Sequence, residues 1–243
     1  MYNFLKSVVK NIIPKEILIK NEDQFRRLLK PLYQGKNHEC NICGTKLKNF
    51  AVLDNGQLIC PICGSLPRTR RLHMLLQNEF LQPDTVFLDF SPSRMLYKKW
   101  KSRKDISYFP TDFENEFLSD YHYDITKIEA EDEKFDLIVC YHILEHIIED
   151  EIAMKELYRV LKKGGNILIQ TPFKEGEIYE DYSIVFPEDR LKYFGQDDHV
   201  RIYSVSGLEN RLKEAGFTTE VRVFDEDNYQ GFTKNETVIV CKK

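Results

Sequence analysis

Four cysteines in two Cys-x-x-Cys-Gly motifs are the residues best suited to bind a metal: Cys40, Cys43, Cys60 and Cys63. In each motif we expect a tight turn that brings both sulfurs together, with the following glycine relieving the crowded backbone. Sixteen residues lie between Cys43 and Cys60, enough for a short hairpin through 50–53 and 57–59 about Asn55-Gly56. Four thiolates at this spacing are typical of a closed, structural zinc site. Iron is the alternative, because these motifs do not distinguish the two metals.

Histidines form a second chemically equipped group. His142 and His146 are four residues apart and would share one face of a helix, as metal ligands do, but no third ligand is evident beside them in the sequence. A general-base role is an alternative, because imidazole titrates near neutrality. Capping or orienting a loop is a third. A later cluster, Asp198, His199 and Arg201, carries the same kinds of groups.

The elements that position the first histidines read as strand, helix and strand. Residues 135–141 are an apolar run, 150–161 have helical periodicity, and 166–171 are a second apolar run closed by Pro172. We expect the helix to stop at Lys162-Lys163-Gly164-Gly165, with glycine at the cap. Such a unit requires a parallel sheet, and its ligand crevice lies at the carboxyl ends of the strands. The fold class is therefore α/β.

The 243 residues carry a net charge of −4, distributed unevenly. Residues 1–72 hold 13 Lys and Arg against five Asp and Glu, a formal charge of +8, whereas the remainder holds 22 against 34, or −12. A basic amino-terminal part on an acidic remainder suggests different partners for the two parts, although small zinc modules are often rich in lysine. No apolar run approaches a membrane span and no secretory signal is visible, so we expect a cytoplasmic protein.

The first 37 residues indicate two helices separated by Pro14. Apolar residues recur at helical spacing over 1–13, a stripe that either packs on the protein itself or makes weak contact with a membrane surface. The second helix is predicted over 15–32. Beyond the cysteines, Arg68, Arg70 and Arg71 open another helix, to about Phe80. These arginines either bind phosphate or an acidic substrate, or form an exposed or salt-bridged helix face.

The stretch from Phe135 to Pro172 resembles the second half of a class I S-adenosylmethionine-dependent methyltransferase. The shared features are a Phe-Asp-Leu-Ile strand, a His-x-Leu-Glu-His turn, and Arg159 to Gly165 before the next strand. The resemblance covers about 160 residues. It implies a Rossmann-like domain with a mostly parallel seven-stranded sheet, here preceded by a small zinc-ribbon module with helical flanks. We divide the chain into amino-terminal helices (1–37), the zinc-ribbon module with a connecting helix (38–82) and the methyltransferase-like domain (83–243).

The resemblance also implies where the cofactor, S-adenosylmethionine, would bind. Strand 86–90 carries the family's acidic residue, and the loop after it has serines where the family has glycines. Pro92 biases Ser91 towards an extended shape. Asp112 matches the ribose-binding acid, Phe113 an adenine neighbour, and Asp124 the residue that accepts from the adenine amine. The cofactor-binding set is Asp89, Ser91, Pro92, Ser93, Asp112, Phe113, Asp124, Ile125, Tyr141 and His142.

An insertion of aromatic and charged residues, 173–203, follows the fifth family strand and is predicted to be a lid over the crevice. His146 or His199 would act as the base, and Arg201 would hold an anionic acceptor. We favour a hydroxyl of a sugar, glycan or other small metabolite as methyl acceptor. An RNA base gripped by the basic zinc module is the alternative. A non-catalytic binding protein with a degenerate cofactor loop is a third.

Overall fold

The computed structural model describes residues 15–243, with side chains described from Asn21 onward. The predicted membrane-contacting stripe over 1–13 lies outside the described residues. The predicted second helix is divided: α1 spans Lys15–Arg27, with a non-helical Asn21, and α2 spans Lys30–Tyr33. Among the residues described, no helix is both long and apolar enough to cross a membrane.

The chain forms two compact units. The cysteine unit comprises the residues up to Glu79 together with Phe224–Glu236, and the sheet unit comprises Phe80–Val223 with Thr237–Lys243. In the cysteine unit, β1 (Gln34–Glu39) pairs antiparallel with β2 (Lys46–Leu47). The predicted hairpin is present as β3 (Ala51–Val52) and β4 (Leu58–Ile59), with Gly56 at φ 80° in its turn. Helix α3 (Pro67–Leu75) follows and continues into a π-helical turn, Leu76–Phe80.

Two of the three arginines of α3 hold the segment Phe224–Glu236 within the cysteine unit. The Arg70 guanidinium is fully buried, donates to the carbonyls of Gln230, Gly231 and Ser65, and lies over the Phe50 ring. Arg71 donates to the carbonyls of Asp225 and Thr233, and its Nε lies 3.4 Å from a Glu236 carboxylate oxygen. Neither side chain is available to bind phosphate, which corrects one of the two readings of these residues.

The sheet unit confirms the Rossmann-like fold, with six strands in the described residues where the resemblance implies seven. These are β5 (Val86–Phe90), β6 (Ser107–Thr111), β7 (Phe135–Tyr141), β8 (Leu161–Gln170), β11 (Thr218–Phe224) and β12 (Glu236–Lys242), in the order β11-β12-β8-β7-β5-β6. Strands β6, β5, β7 and β8 are parallel, and β12 is antiparallel to β8.

The missing edge strand is reduced to a single bridge between Tyr121 and Thr111. Just beyond it, the Asp124 carboxylate accepts from the backbone and the hydroxyl of Thr126. A carboxylate bonded to the backbone two residues on forms a local turn, which replaces extended pairing.

The predicted strand–helix–strand unit is present as β7, α5 (Asp150–Val160) and β8. The predicted glycine cap is wrong. Leu161, next to the last helical residue, is already extended, with φ −76° and ψ 134°. Gly164, with φ 78°, lies within β8, whose pairing with β7 shifts register between Phe135 and Leu137. The left-handed backbone of Gly164 therefore lies in the irregular first part of β8.

The unit also contains helices α4 (Arg94–Lys101) and α7 (Val205–Glu214), and a core of buried side chains joins the sheet, α5 and α7. The insertion 173–203 contains β9 (Tyr179–Glu180), α6 (Pro187–Phe194) and β10 (Arg201–Ile202), with β9 and β10 antiparallel. Several of its apolar side chains are exposed, namely Tyr182, Val185, Phe186, Leu191 and Tyr193.

Candidate active site and cysteine cluster

The four cysteine sulfurs lie within 4.8 Å of one another. Cys40 and Cys63 are separated by 3.6 Å between sulfurs, and Cys43 and Cys60 by 3.9 Å. A tetrahedral metal with bonds of about 2.3 Å to sulfur would hold sulfurs about 3.8 Å apart. The measured separations fall on either side of this value, so the cluster has the dimensions of a four-thiolate metal site.

Both Cys-x-x-Cys motifs fold alike. The backbone N–H of Gly44 donates to the Cys40 carbonyl, and that of Gly64 donates to the Cys60 carbonyl. The two glycines have left-handed φ values, 66° for Gly44 and 80° for Gly64. Four thiolates this close repel one another, so they need a cation among them.

The remaining candidate residues follow the carboxyl ends of β5, β6, β7 and β8, which meet at one edge because these strands are parallel. Asp89 lies one residue before the end of β5 and is almost completely buried. Its carboxylate accepts a 2.9 Å hydrogen bond from the Tyr108 hydroxyl. Burial raises the pKa of Asp89 to about 7, and the Tyr108 bond opposes that rise.

Ser91 adopts a left-handed backbone conformation, which favours glycine. Its φ is 46°, which corrects the expectation that Pro92 makes it extended. Its backbone N–H donates to the Thr111 carbonyl at 2.7 Å, and its hydroxyl donates to Asp112 at 2.7 Å. These two bonds across β5 and β6 hold a serine in a region that L-residues rarely occupy.

Ser93 is the N-cap residue of α4, but its side chain does not cap the helix. Its hydroxyl oxygen is buried and has no hydrogen-bond partner. A buried hydroxyl without a partner has a free-energy cost, so this position is suited to a polar group of a ligand beside the helix N-terminus.

Asp112 follows β6 and is buried. Besides the Ser91 hydroxyl, its carboxylate accepts from the backbone N–H groups of Glu116 and Phe117 at 2.6 and 3.0 Å. It therefore organises the loop in addition to any role towards a ligand. Phe113 is largely exposed, and its contact with adenine stays a prediction, as does the ribose role of Asp112.

Asp124 forms the turn with Thr126 described above, and Ile125 belongs to the hydrophobic core. The predicted contact of Asp124 with the adenine amine stays a prediction. Tyr141 ends β7, and His142 follows with φ 56° while donating its backbone N–H to Gln170. That left-handed residue turns the chain sharply at the edge where the candidate residues meet.

Beyond this turn, Glu145, His146 and His199 form a compact cluster, with one ligand atom of each lying within 4.8 Å of the others. The two imidazole rings are 4.7 Å apart in an edge-to-face arrangement. A backbone hydrogen bond from Val200 to the Glu145 carbonyl brings the two segments together. Sequence reasoning named both histidines as catalytic candidates but left the buried Glu145 without a role.

Burial and neighbouring histidines change the pKa values of His199 and Glu145 in this cluster. Burial lowers the pKa of His199, and the neighbouring His146 lowers it further. Burial raises the pKa of Glu145, but the His142 hydrogen bond and the nearby histidines outweigh burial, so the net shift is downward. The cluster therefore presents an ionised carboxylate beside a neutral imidazole.

Arg201 does not face an acceptor. Its buried guanidinium donates to the Glu180 carboxylate, to the Tyr182 hydroxyl and to the backbone carbonyls of Leu144, Ile147 and Ile148. The prediction that it holds an anionic acceptor is wrong, because its donors are used to join the insertion to the turn after β7.

The sequence placed Thr171 at the ligand crevice but gave it no role. Thr171 directly follows β8, is buried, and has a hydroxyl oxygen without a hydrogen-bond partner. Its place at the carboxyl end of a parallel strand was the only signal available.

Comparisons with known proteins bear on the identity of the sheet unit. The profile of a family described as "Methyltransferase domain" matches residues 68–220. An uncharacterized protein of Methanocaldococcus jannaschii is 27% identical over 127 residues, covering 51% of this chain and 49% of that protein. A tRNA U34 carboxymethyltransferase of Sulfurovum sp. is 26% identical over 136 residues, covering 56% of this chain and 41% of that protein. The chain thus spans less than half the length of either curated relative.

Among solved structures, a SAM dependent methyltransferase from Archaeoglobus fulgidus is similar with a TM-score of 0.53 and 15% sequence identity. The match covers 72% of this chain and 93% of that protein. At this identity the likeness shows a shared fold.

Proposed function

We propose that the chain, a member of the methyltransferase-domain family, is an S-adenosylmethionine-dependent methyltransferase whose acceptor is a hydroxyl of a sugar, glycan or other small metabolite. The observation that carries this proposal is the cluster of Glu145, His146 and His199 beyond the carboxyl end of β7. A hydroxyl must lose its proton as it accepts a methyl group, and a neutral imidazole can take a proton at the pH of a cell.

The residues of the cofactor loop fit S-adenosylmethionine. Ser91 has the left-handed backbone of a glycine, so the loop keeps the shape that permits close approach of a ligand. The unpartnered Ser93 hydroxyl would bond a polar group of the methionine part, beside the N-terminus of α4. Asp112 would accept from the ribose hydroxyls through lone pairs that its three protein bonds leave.

When bound, S-adenosylmethionine supplies an electrophilic methyl group whose bond to sulfur breaks, leaving the electron pair on sulfur. The chain's own residues would align the acceptor, exclude water and receive the hydroxyl proton. The Nε2 of His199 is buried and has no partner, which makes it the best-placed atom to accept that proton. The exposed aromatic and apolar side chains of the insertion 173–203 would close over a small acceptor as a lid.

The acceptor can be tested with cofactor labelled in its methyl group. Incubated with a cell extract divided into RNA, protein and small-molecule fractions, the enzyme is expected to label the small-molecule fraction with an alkali-stable methyl ether. His199→Asn should abolish the label while S-adenosylhomocysteine still binds in calorimetry. His38→Asn, a histidine of the cysteine unit, should label as the unchanged protein does. Label confined to RNA or protein would reject a small-molecule acceptor.

RNA is a second candidate, favoured by the similarity to a relative named as a tRNA U34 carboxymethyltransferase. If RNA binds the basic amino-terminal part, its affinity should fall steeply with salt. The burial of Arg70 and Arg71 removes two of the charges that would have made such a surface. Neutralising the exposed Lys46 in β2 and Lys48 just after it should then flatten the salt dependence of RNA binding. Salt-independent binding would argue against an electrostatic RNA grip.

The four cysteines are proposed to hold one structural zinc ion. Their sulfur separations match tetrahedral coordination, and four sulfur ligands leave no position for a substrate. This zinc would support the cysteine unit and would take no part in methyl transfer.

A further inference from the structure

The cluster of Glu145, His146 and His199 has the composition of an open metal site as well as that of a general base. We propose that these three residues bind a divalent transition-metal ion, separate from the four-cysteine cluster, and that its open coordination position receives the acceptor's oxygen. The role towards the acceptor rests on the proposed function, whereas the binding of the ion does not.

Two of the three ligand atoms are buried without a hydrogen-bond partner. They are Oε2 of Glu145 and Nε2 of His199, on side chains that are about 1% and 3% exposed. An unpaired buried carboxylate oxygen and an unpaired buried imidazole nitrogen both carry a desolvation cost. The Phe194 backbone hydrogen-bonds the His199 ring, so the ring proton lies on Nδ1 and the unpartnered Nε2 carries a lone pair. This nitrogen and the Glu145 oxygen are both electron-pair donors and repel each other. A cation between them satisfies both.

The surrounding residues orient the ligands as outer-shell partners of a metal do. Nδ1 of His146 lies 3.1 Å from a carboxylate oxygen of Asp198, which holds the ring proton on Nδ1 and leaves Nε2 as the electron-pair donor. Likewise, Nδ1 of His142 lies 3.1 Å from Oε1 of Glu145, so the carboxylate is fixed through one oxygen and free at the other. Each of these two ligands therefore has a second contact that fixes its orientation.

The ligand set indicates which ions would bind and how. Two imidazoles and one carboxylate supply three positions to a metal, the number found in catalytic sites that keep a position open. This mixture suits zinc, iron(II) or manganese(II) better than magnesium or calcium, which prefer oxygen ligands throughout. One carboxylate charge leaves a divalent site with a net charge of +1, and such a site attracts an anionic oxygen.

The place of the cluster in the fold connects the ion with the proposed reaction. Glu145 and His146 belong to the turn that follows β7, at the strand edge where Ser93 and Thr171 also lie. A hydroxyl oxygen bound to the ion would have a lowered pKa, release its proton to water and attack as an anion. With the ion bound, the two histidines would act as ligands, and the ion would replace His199 as the group that activates the hydroxyl.

Metal content measured on the folded full-length protein tests the proposal without an acceptor. After dialysis against zinc, the unchanged protein should contain two metal ions per chain, and Glu145→Gln and His199→Asn should contain one. His122→Asn should retain two, and Asp198→Asn should bind the second ion roughly 10- to 100-fold more weakly. Cys60→Ser reports on the other site and should lose its ion while the second ion remains. Tryptophan fluorescence would verify that each variant is folded.

One metal ion per chain in the unchanged protein would overturn the proposal, as would a second ion that persists in both Glu145→Gln and His199→Asn. Manganese(II), titrated into the zinc-loaded protein and followed by electron paramagnetic resonance, gives the same comparison for a metal that thiolates bind poorly. Failure of the hydroxyl-acceptor proposal is separately visible, because metal would still bind at the cluster while label appeared in another class of acceptor.

Discussion

Replacing Ser91 by alanine and by glycine separates two energies in the loop after β5. Both variants lose the hydroxyl bond to Asp112, which costs about 1.5–3 kcal/mol because the acceptor is charged. Only glycine relieves the φ of 46°, which costs an L-residue about 1–2 kcal/mol. The freedom of glycine in the unfolded chain offsets about 0.4–1 kcal/mol of that relief. The free energy of unfolding of Ser91→Gly should therefore be about 1 kcal/mol higher than that of Ser91→Ala, and both should be lower than that of the unchanged protein.

The fluorescence of Trp100 provides the unfolding assay. Trp100 is the only tryptophan of the chain and is buried in α4, just beyond this loop, so its fluorescence reports unfolding of the sheet unit. Urea midpoints at a common slope give the free energy of unfolding of each protein. Equal stability of the two variants, or a more stable alanine variant, would refute a strained left-handed backbone at Ser91. Calorimetry with S-adenosylhomocysteine should also show glycine binding at least as tightly as alanine.

Three further outcomes are expected. Asp89 has a pKa near 7 in the folded protein and near 4 in the unfolded chain. The free energy of unfolding of the sheet unit should therefore fall by roughly 4 kcal/mol as the pH rises from about 4 to about 7. Asp89→Asn should remove this pH dependence in urea titrations. Elemental analysis should find no zinc at the cysteine cluster of Cys60→Ser, whose cysteine unit should become protease-sensitive; a protected, metal-free unit would contradict this. Arg201→Met should lower the free energy of unfolding by about 3–5 kcal/mol, because it leaves Glu180 and buried carbonyls without their hydrogen-bond donor. Arg103→Met, which removes a partly exposed ion pair, should lower it by less than about 1 kcal/mol in the same assay.

The features that local sequence determines were predictable. The apolar run 135–141 is β7 with the predicted bounds, and the Asn55-Gly56 hairpin is present, because alternation, apolar runs and turn residues act over a few positions. The cysteine cluster belongs to the same class, since two short motifs carry all of its ligands. The helix end at Val160 was missed because glycine was assigned the cap on composition, although the chain had already become extended at Leu161.

Features that depend on distant contacts were not predictable. His146 and His199 face each other only because the insertion returns to the turn after β7, so sequence spacing gave no sign of a third ligand. The burial of Arg201 likewise depends on carbonyls more than 50 residues away. For Ser91, the proline after it favoured an extended backbone, but the two hydrogen bonds across β5 and β6 prevail over that local preference.

The two-segment composition of the cysteine unit has a consequence for how the protein is made. Arg70 donates to carbonyls of residues 160 and 161 positions later, so these partners do not exist until synthesis has passed almost the whole sheet unit. Until then, an arginine that is fully buried in the finished protein has no acceptors at Gln230 and Gly231. A ribosome-bound chain would therefore expose an incomplete cysteine unit, open to proteases and chaperones, for most of its translation. The segment 224–236, translated late, thus completes a unit whose other residues are translated first.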